Sequence, residues 1–137
     1  MEWQENGITI VDDRNAVDTE FVCDLLRNTY WAKERSREAM KRSFGQSLCF
    51  SVFQQNQQIG FGRVVSDYAT FSWIADVIID SRFRGQGTGK FLMRCITEHP
   101  SIKHTTQTLA TRDAHGLYEQ FGFVRQEFMR KEPENTE

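Results

Sequence analysis

The sequence predicts a mixed α/β domain, an α+β arrangement with helices packed on one sheet. Three observations predict it. Apolar residues alternate over short runs near 8–13, 48–52 and 59–65, as strands require. Between such runs, apolar residues recur three and four positions apart, as helix faces require. A glycine-rich stretch, "FRGQGTGK" at 83–90, separates a long β-forming run from a helical one.

Taken in order, "ITIVDD" at 8–13 reads as the first strand. Asp18 is placed to cap a helix whose apolar face is Phe21, Val22, Leu25 and Leu26. After "YWAKER", Ser36 caps a second helix with Glu38 in its first turn and Ala39, Met40 and Phe44 inward. Leu48, Phe50 and Val52 alternate on the next strand, and residues 59–65 make another after the turn "QQNQQ". "DYATF" turns the chain into "SWIADVIID", a long strand. Beyond the glycines, Phe91, Leu92, Cys95 and Ile96 mark a helix that Pro100 stops. "TTQTLA" at 105–110 is a strand; Ala114, Leu117, Tyr118 and Phe121 form a last helical face closed by Gly122; "FVRQEFM" ends as a strand. The order is β-α-α-β-β-β-α-β-α-β.

Composition narrows the class. The 137 residues, 39% apolar, suit a single domain over 1–137 with its own core, and the polar stretch 130–137 is expected to be a flexible tail. A net charge of −2 offers no bulk attraction to nucleic acid. No apolar run reaches the roughly 20 residues of a membrane span, and "MEWQENG" lacks the features of a signal peptide. A cytoplasmic protein without nucleic-acid or membrane partners is expected. Cys23, Cys49 and Cys95 lie in apolar stretches without CxxC spacing, which predicts reduced, buried thiols and no metal site.

The glycine segment lies between a strand and a helix. The first turn of a helix leaves amide N–H groups unpaired at the positive end of its dipole. Glycines let backbone approach an anion closely, so the segment reads as a phosphate cradle. The nucleotide loop GxxxxGK(S/T) fails, because Arg84 and Phe91 stand where Gly and Ser or Thr are needed. The dinucleotide fingerprint GxGxxG fails at Lys90.

What the segment does match is R-x-x-G-x-G, as Arg84, Gly87 and Gly89. "ADVIIDSRFRGQGTGKFLM" resembles the central motif of the GNAT superfamily of N-acetyltransferases, and "AHGLYEQFGF" resembles that family's A-x-x-(F/L)-Y-E-x-x-G-F. The resemblance covers nearly the whole chain. It implies a central, twisted, mostly antiparallel sheet of six to seven strands flanked by about four helices. It also implies acetyl-coenzyme A as cofactor, with its pyrophosphate on the backbone of Arg84, Gly85, Gln86, Gly87, Thr88, Gly89 and Lys90. The pantetheine arm would meet main-chain groups of Val77, Ile78 and Ile79.

Transfer of an acetyl group to an amine needs a deprotonated amine, a donor for the carbonyl oxygen and a proton or hydrogen bond for the departing sulfur. The resemblance gives the last role to Tyr118. Tyrosine has a reference pKa of about 10 and a thiol about 8.5, so full transfer is uphill by roughly 2 kcal/mol in water. A dry site narrows that gap. Asp76 is the candidate base: it acts through water or only satisfies a backbone amide, since Ala75 stands where many relatives carry a second acid and some relatives let water take the proton. Thr111 stands where relatives often place an Asn that contacts pantetheine; it either keeps that contact or caps a helix. His115, one turn before Tyr118, borders the same cleft or faces solvent.

Acceptor selection in the family comes largely from the segment between the first two helices. Here Tyr30 and Trp31 offer an aromatic wall, and Glu34 would attract a cationic amine. Phe71 and Trp73 raise the same question at the hairpin. The expected partners are acetyl-coenzyme A and an amine acceptor, a small molecule or a protein amine, with a homodimer as a further expectation. The alternative is a catalytically inactive module that binds coenzyme A or a partner, which Ala75 and Thr111 keep open.

Overall fold

The computed structural model describes residues 1–134. Six strands lie in sequence order in one sheet: β1 (Glu2–Glu5), β2 (Ile8–Val11), β3 (Leu48–Gln54), β4 (Gln57–Ser66), β5 (Phe71–Ile79) and β6 (Thr106–Thr108). The first five pair antiparallel, and β6 joins β5 in parallel. Four helices accompany them: α1 (Thr19–Arg27), α2 (Arg37–Gly45), α3 (Thr88–Thr97) and α4 (His115–Glu119). The mixed α/β class, the mostly antiparallel sheet and the helix number agree with the expectation.

Local chemistry explains most boundaries. The Asp18 carboxylate accepts from Phe21 N–H and the Ser36 hydroxyl from Ala39 N–H, each satisfying an amide that the first helical turn leaves free. The apolar stripes of α1 and α2 then face one side of the sheet, where Val22, Cys23, Leu26, Met40 and Phe44 close over Cys49, Phe61 and Ile78. Helix α3 covers the other side, with Leu92, Met93 and Ile96 against Phe50, Val52, Val64 and Ile74. At Gly60 a Cβ would stand 2.6 Å from Ile79 Cδ1 and 3.0 Å from the Ile78 carbonyl, so a side chain there would push β4 from β5.

Three expectations need correction. The predicted first strand is the second: β1 precedes it, joined by Asn6 and Gly7, both at positive φ, in the two-residue turn that matches strand twist. "TTQTLA" pairs only over Thr106–Thr108. The predicted strand "FVRQEFM", at 123–129, is not formed: these residues adopt no regular element, and Val124 and Met129 are 74% and 96% exposed. With β6 only three residues long, the segment has little ladder to join. A groove of about 1090 Å³ remains open between 105–111 and 121–128. Of the predicted tail, residues 130–134 carry no regular structure, and 135–137 lie outside the described residues.

The three cysteines are free and buried. Burial pushes the Cys49 thiol up to about 11 and the Cys95 thiol to about 12, so both are protonated at neutral pH. Among the described residues no helix is long and apolar enough to cross a membrane, and no group of acids, histidines and cysteines is arranged to hold a metal.

Candidate active site

A gap in the sheet defines the site. Strand β6 pairs with β5 only at Phe71, Ser72 and Trp73. Beyond Trp73 the two diverge, so Ile74 to Ile79 keep β4 on one side and have no ladder on the other. Val77, Ile78 and Ile79 lie on this stretch; Ile78 pairs with Phe61 of β4 and the Ile79 carbonyl accepts from Arg84, so Val77 and the Ile79 amide are the groups left facing the gap.

The glycine segment follows directly on the end of β5 and leads into α3. After Ile79, Asp80 accepts from Arg82 N–H at 3.0 Å and from its guanidinium at 2.8 Å, holding a single 3₁₀ turn. Arg84 folds back and donates its Nε–H to the Ile79 carbonyl at 3.0 Å, which ties the loop to the strand end. Gly87 then begins α3 with φ +79°, a conformation that costs other residues about 1–2 kcal/mol. No side chain caps this helix. Its first intrahelical bond, Phe91 N–H to the Gly87 carbonyl, leaves the amides of Thr88, Gly89 and Lys90 free. Thr88 is 4% exposed, and its buried hydroxyl has no hydrogen-bond partner. A buried unpaired hydroxyl costs about 1–3 kcal/mol. Three free amides, an orphaned hydroxyl and the dipole's positive end together fit the pyrophosphate of coenzyme A. Gly85, Gln86 and Lys90 are exposed or nearly so beside them.

Tyr118 lies on α4, partly buried against the α3 cluster and lining the groove between 105–111 and 121–128. Its ring packs against Phe123 at 6.2 Å, and its hydroxyl makes no protein hydrogen bond among the described residues. Burial, with smaller effects from Tyr30 and Asp113, raises its pKa. It is therefore protonated at neutral pH, as a donor must be. Thr111 accepts from Ala114 N–H at 3.0 Å and so holds the turn leading into α4. His115 is half-buried on the same short helix.

The acceptor residues predicted from sequence separate. Tyr30 and Trp31 meet edge to face at 5.1 Å. The Tyr30 hydroxyl accepts from Arg112 N–H at 3.1 Å, and the Arg112 guanidinium lies 3.7 Å above its ring. Tyr30 thus links the α1–α2 connection to the loop before α4. Glu34 stands exposed and joins none of these contacts.

Asp76 occupies the centre of a buried polar node. The β4–β5 register shifts between Phe61 and Arg63, and Asp76 adopts φ +54° there. Its Oδ1 accepts from the Trp31 indole at 2.9 Å; its Oδ2 accepts from Arg35 at 2.8 Å and from Arg63 at 2.7 Å. Arg63 also donates to the Ser47 hydroxyl at 3.1 Å. Burial alone would raise the Asp76 carboxyl. Hydrogen bonds and charge from Arg35 and Arg63 outweigh it and hold the group below the ordinary carboxylate range. Sequence reasoning missed Arg35, Arg63 and Arg112. An arginine inside the apolar strand "QIGFGRVVS" was the available signal, since a strand cation with buried neighbours needs an anion.

The fold is that of an acyltransferase. Residues 45–125 match the acetyltransferase (GNAT) domain family, and the chain belongs to that family. It is 30% identical over 115 residues to the uncharacterized N-acetyltransferase ycf52 of Gracilaria tenuistipitata var. liui and 31% identical over 120 residues to that of Porphyra purpurea. The matches cover 80% and 81% of this chain but only 62% and 66% of those relatives. A crystal structure from Xanthomonas campestris pv. campestris, of a protein assigned to the GNAT family of acetyltransferases, superposes with a TM-score of 0.89 at 33% identity, covering 95% of this chain and 96% of that one. Glucosamine-6-phosphate N-acetyltransferase from Arabidopsis thaliana shares the fold, with a TM-score of 0.68 at 17% identity over 93% of this chain and 99% of that one.

Proposed function

We propose that this chain transfers the acetyl group of acetyl-coenzyme A to a primary amine. The observation that carries the reading is the uncapped start of α3, where the Thr88 hydroxyl lies buried without a partner beside three free amides. The amides of Thr88, Gly89 and Lys90, with the Thr88 hydroxyl, would hold the pyrophosphate. Residues 84–87 would surround it, with Arg84 and Lys90 adding charge. The gap-facing groups of Val77 and Ile79 would receive the amides of the pantetheine arm. When bound, the cofactor supplies an activated thioester.

Tyr118 would donate a hydrogen bond or proton to the leaving sulfur, since its hydroxyl is protonated, half-buried and free of protein partners. Asp76 was expected as base. Its carboxylate is bound on both oxygens and its basicity is reduced, which supports a positioning role for it and proton loss from the amine to water. Tyr30 and Trp31 would flank the acceptor.

The test is the thermal midpoint with and without acetyl-coenzyme A, for wild type and Thr88→Val. At 100 times Kd the ligand adds about 2.7 kcal/mol. That is a rise of roughly 5 to 15 °C for a domain of this size. Thr88→Val should leave the unliganded midpoint unchanged or raised, because it removes an orphaned polar group, while weakening the ligand-induced rise. No rise for wild type would overturn the reading. A rise without turnover on a primary-amine panel would favour a binding module.

A further inference from the structure

The polar node around Asp76 holds more positive charge than its own acid neutralises. Two guanidiniums, Arg35 and Arg63, share the single oxygen Oδ2, while the Trp31 indole occupies Oδ1. Two cations against one carboxylate leave one positive charge in surplus. The side chains of Arg63 and Arg35 are only 13% and 27% exposed. A cation withdrawn from water is costly until an anion meets it. Arg112 extends the cationic wall, stacked on Tyr30, which in turn lies against Trp31. Glu34, the acid of the same connection, is exposed and forms no ion pair with these arginines among the described residues. Asp113 forms no ion pair with these arginines among the described residues.

Position matters as much as charge. The node lies at the register shift of β4 and β5, along the stretch where β5 has already left β6. Tyr30 reaches from the node's loop to the loop before α4, the helix that carries Tyr118. An acceptor arriving beside the packed Tyr30–Trp31 pair would meet Arg35 first, the more accessible of the two arginines.

We propose that the acceptor carries its own oxyanion, a carboxylate, and that Arg35 with Arg63 binds it beside the Tyr30–Trp31 wall. Guanidinium forks suit this task, because two parallel N–H donors match a carboxylate's two oxygens. The acceptors would then be amino acids or other amines bearing an acid, and the decarboxylated amine would be a poor substitute. The proposal rests on the acetyl-transfer reading for what happens to the amine, but the binding of the carboxylate can be measured without turnover.

The experiment titrates reaction products. N-acetylglycine, N-acetylphenylalanine and N-acetylglutamate are each paired with the corresponding C-terminal amide and titrated calorimetrically into the protein, with and without coenzyme A. At least one acid should bind tenfold or more tightly than its amide, and Arg35→Gln should reduce that preference below about threefold. Arg35→Lys should restore part of it, since charge survives without the fork. Coenzyme A affinity, measured in parallel, reports that each variant is folded. Equal binding within every pair, tighter binding of amides, or no binding at all would overturn the proposal. N-acetyl-O-phosphoethanolamine forms a further arm: tighter binding than every carboxylate, lost in Arg35→Gln, would overturn the carboxylate in favour of a phosphate. Failure of coenzyme A to bind strikes the acetyl-transfer reading instead, and the titrations without it judge carboxylate recognition by itself.

Discussion

Replacing Asp76 by Asn isolates the charge of the polar node. Asn tolerates the left-handed backbone, φ +54°, better than most residues and keeps one acceptor oxygen. What it removes is the anion between Arg35 and Arg63. The Asp76 side chain is 1% exposed and that of Arg63 13%. Removing one partner of a buried pair costs about 3–5 kcal/mol. The greater exposure of Arg35, 27%, and the surviving amide oxygen lower the expected cost to about 2–3 kcal/mol. For a chain of 137 residues that is a fall in Tm of roughly 6 to 15 °C. The pH dependence has a definite sign. The folded carboxyl titrates below its ordinary value of 3.8, so its stabilisation is complete above that value and is lost as pH falls through the folded pKa. Urea unfolding of both proteins, from pH 7 down to pH 3, reads the difference directly. It should be full at pH 7 and shrink below about pH 4. A difference under about 1 kcal/mol at pH 7, or one that persists undiminished at pH 3, would refute the assigned pairing.

Two further substitutions address the cradle and the proton donor. Gly87→Glu places a side chain and a negative charge at a φ +79° position beside the free amides, and should abolish the rise in midpoint with coenzyme A; an unchanged rise would remove the phosphate from this loop. Tyr118→Phe keeps the ring against Phe123 and should lower turnover about tenfold or more while coenzyme A affinity holds; equal turnover would leave Tyr118 as packing alone.

The parts of the fold that depend on local chemistry were legible in the sequence. The Asp18 and Ser36 caps, the apolar faces of α1, α2 and α3, and the glycine start of α3 follow from residues within one or two turns. Strand β1 was missed because "EWQE" has no apolar alternation; only the Asn6–Gly7 pair announced its hairpin. The last strand failed for the opposite reason. "FVRQEFM" alternates suitably, but a strand exists only with a partner, and the three-residue β6 provides little of one. The uncapped, free-amide start of α3 was readable because it is backbone chemistry encoded in glycines. The polar node was not, because Trp31, Arg35, Arg63 and Asp76 are separated by up to 45 residues and meet only through a register shift.

The sheet also acts as a partition. The cradle hangs from α3 and its cluster on one face, whereas the loop bearing Tyr30, Trp31 and Arg35 hangs from α1, α2 and the separate cluster on the other. The two ends share β5, which carries both Asp76 and Val77 to Ile79, but each rests on its own helix cluster. On the proposed reading, substitutions beneath the α1–α2 loop would retune which acceptor is admitted while leaving the free amides at the start of α3 in place. A molecule so built could change clientele without relearning how to hold its donor.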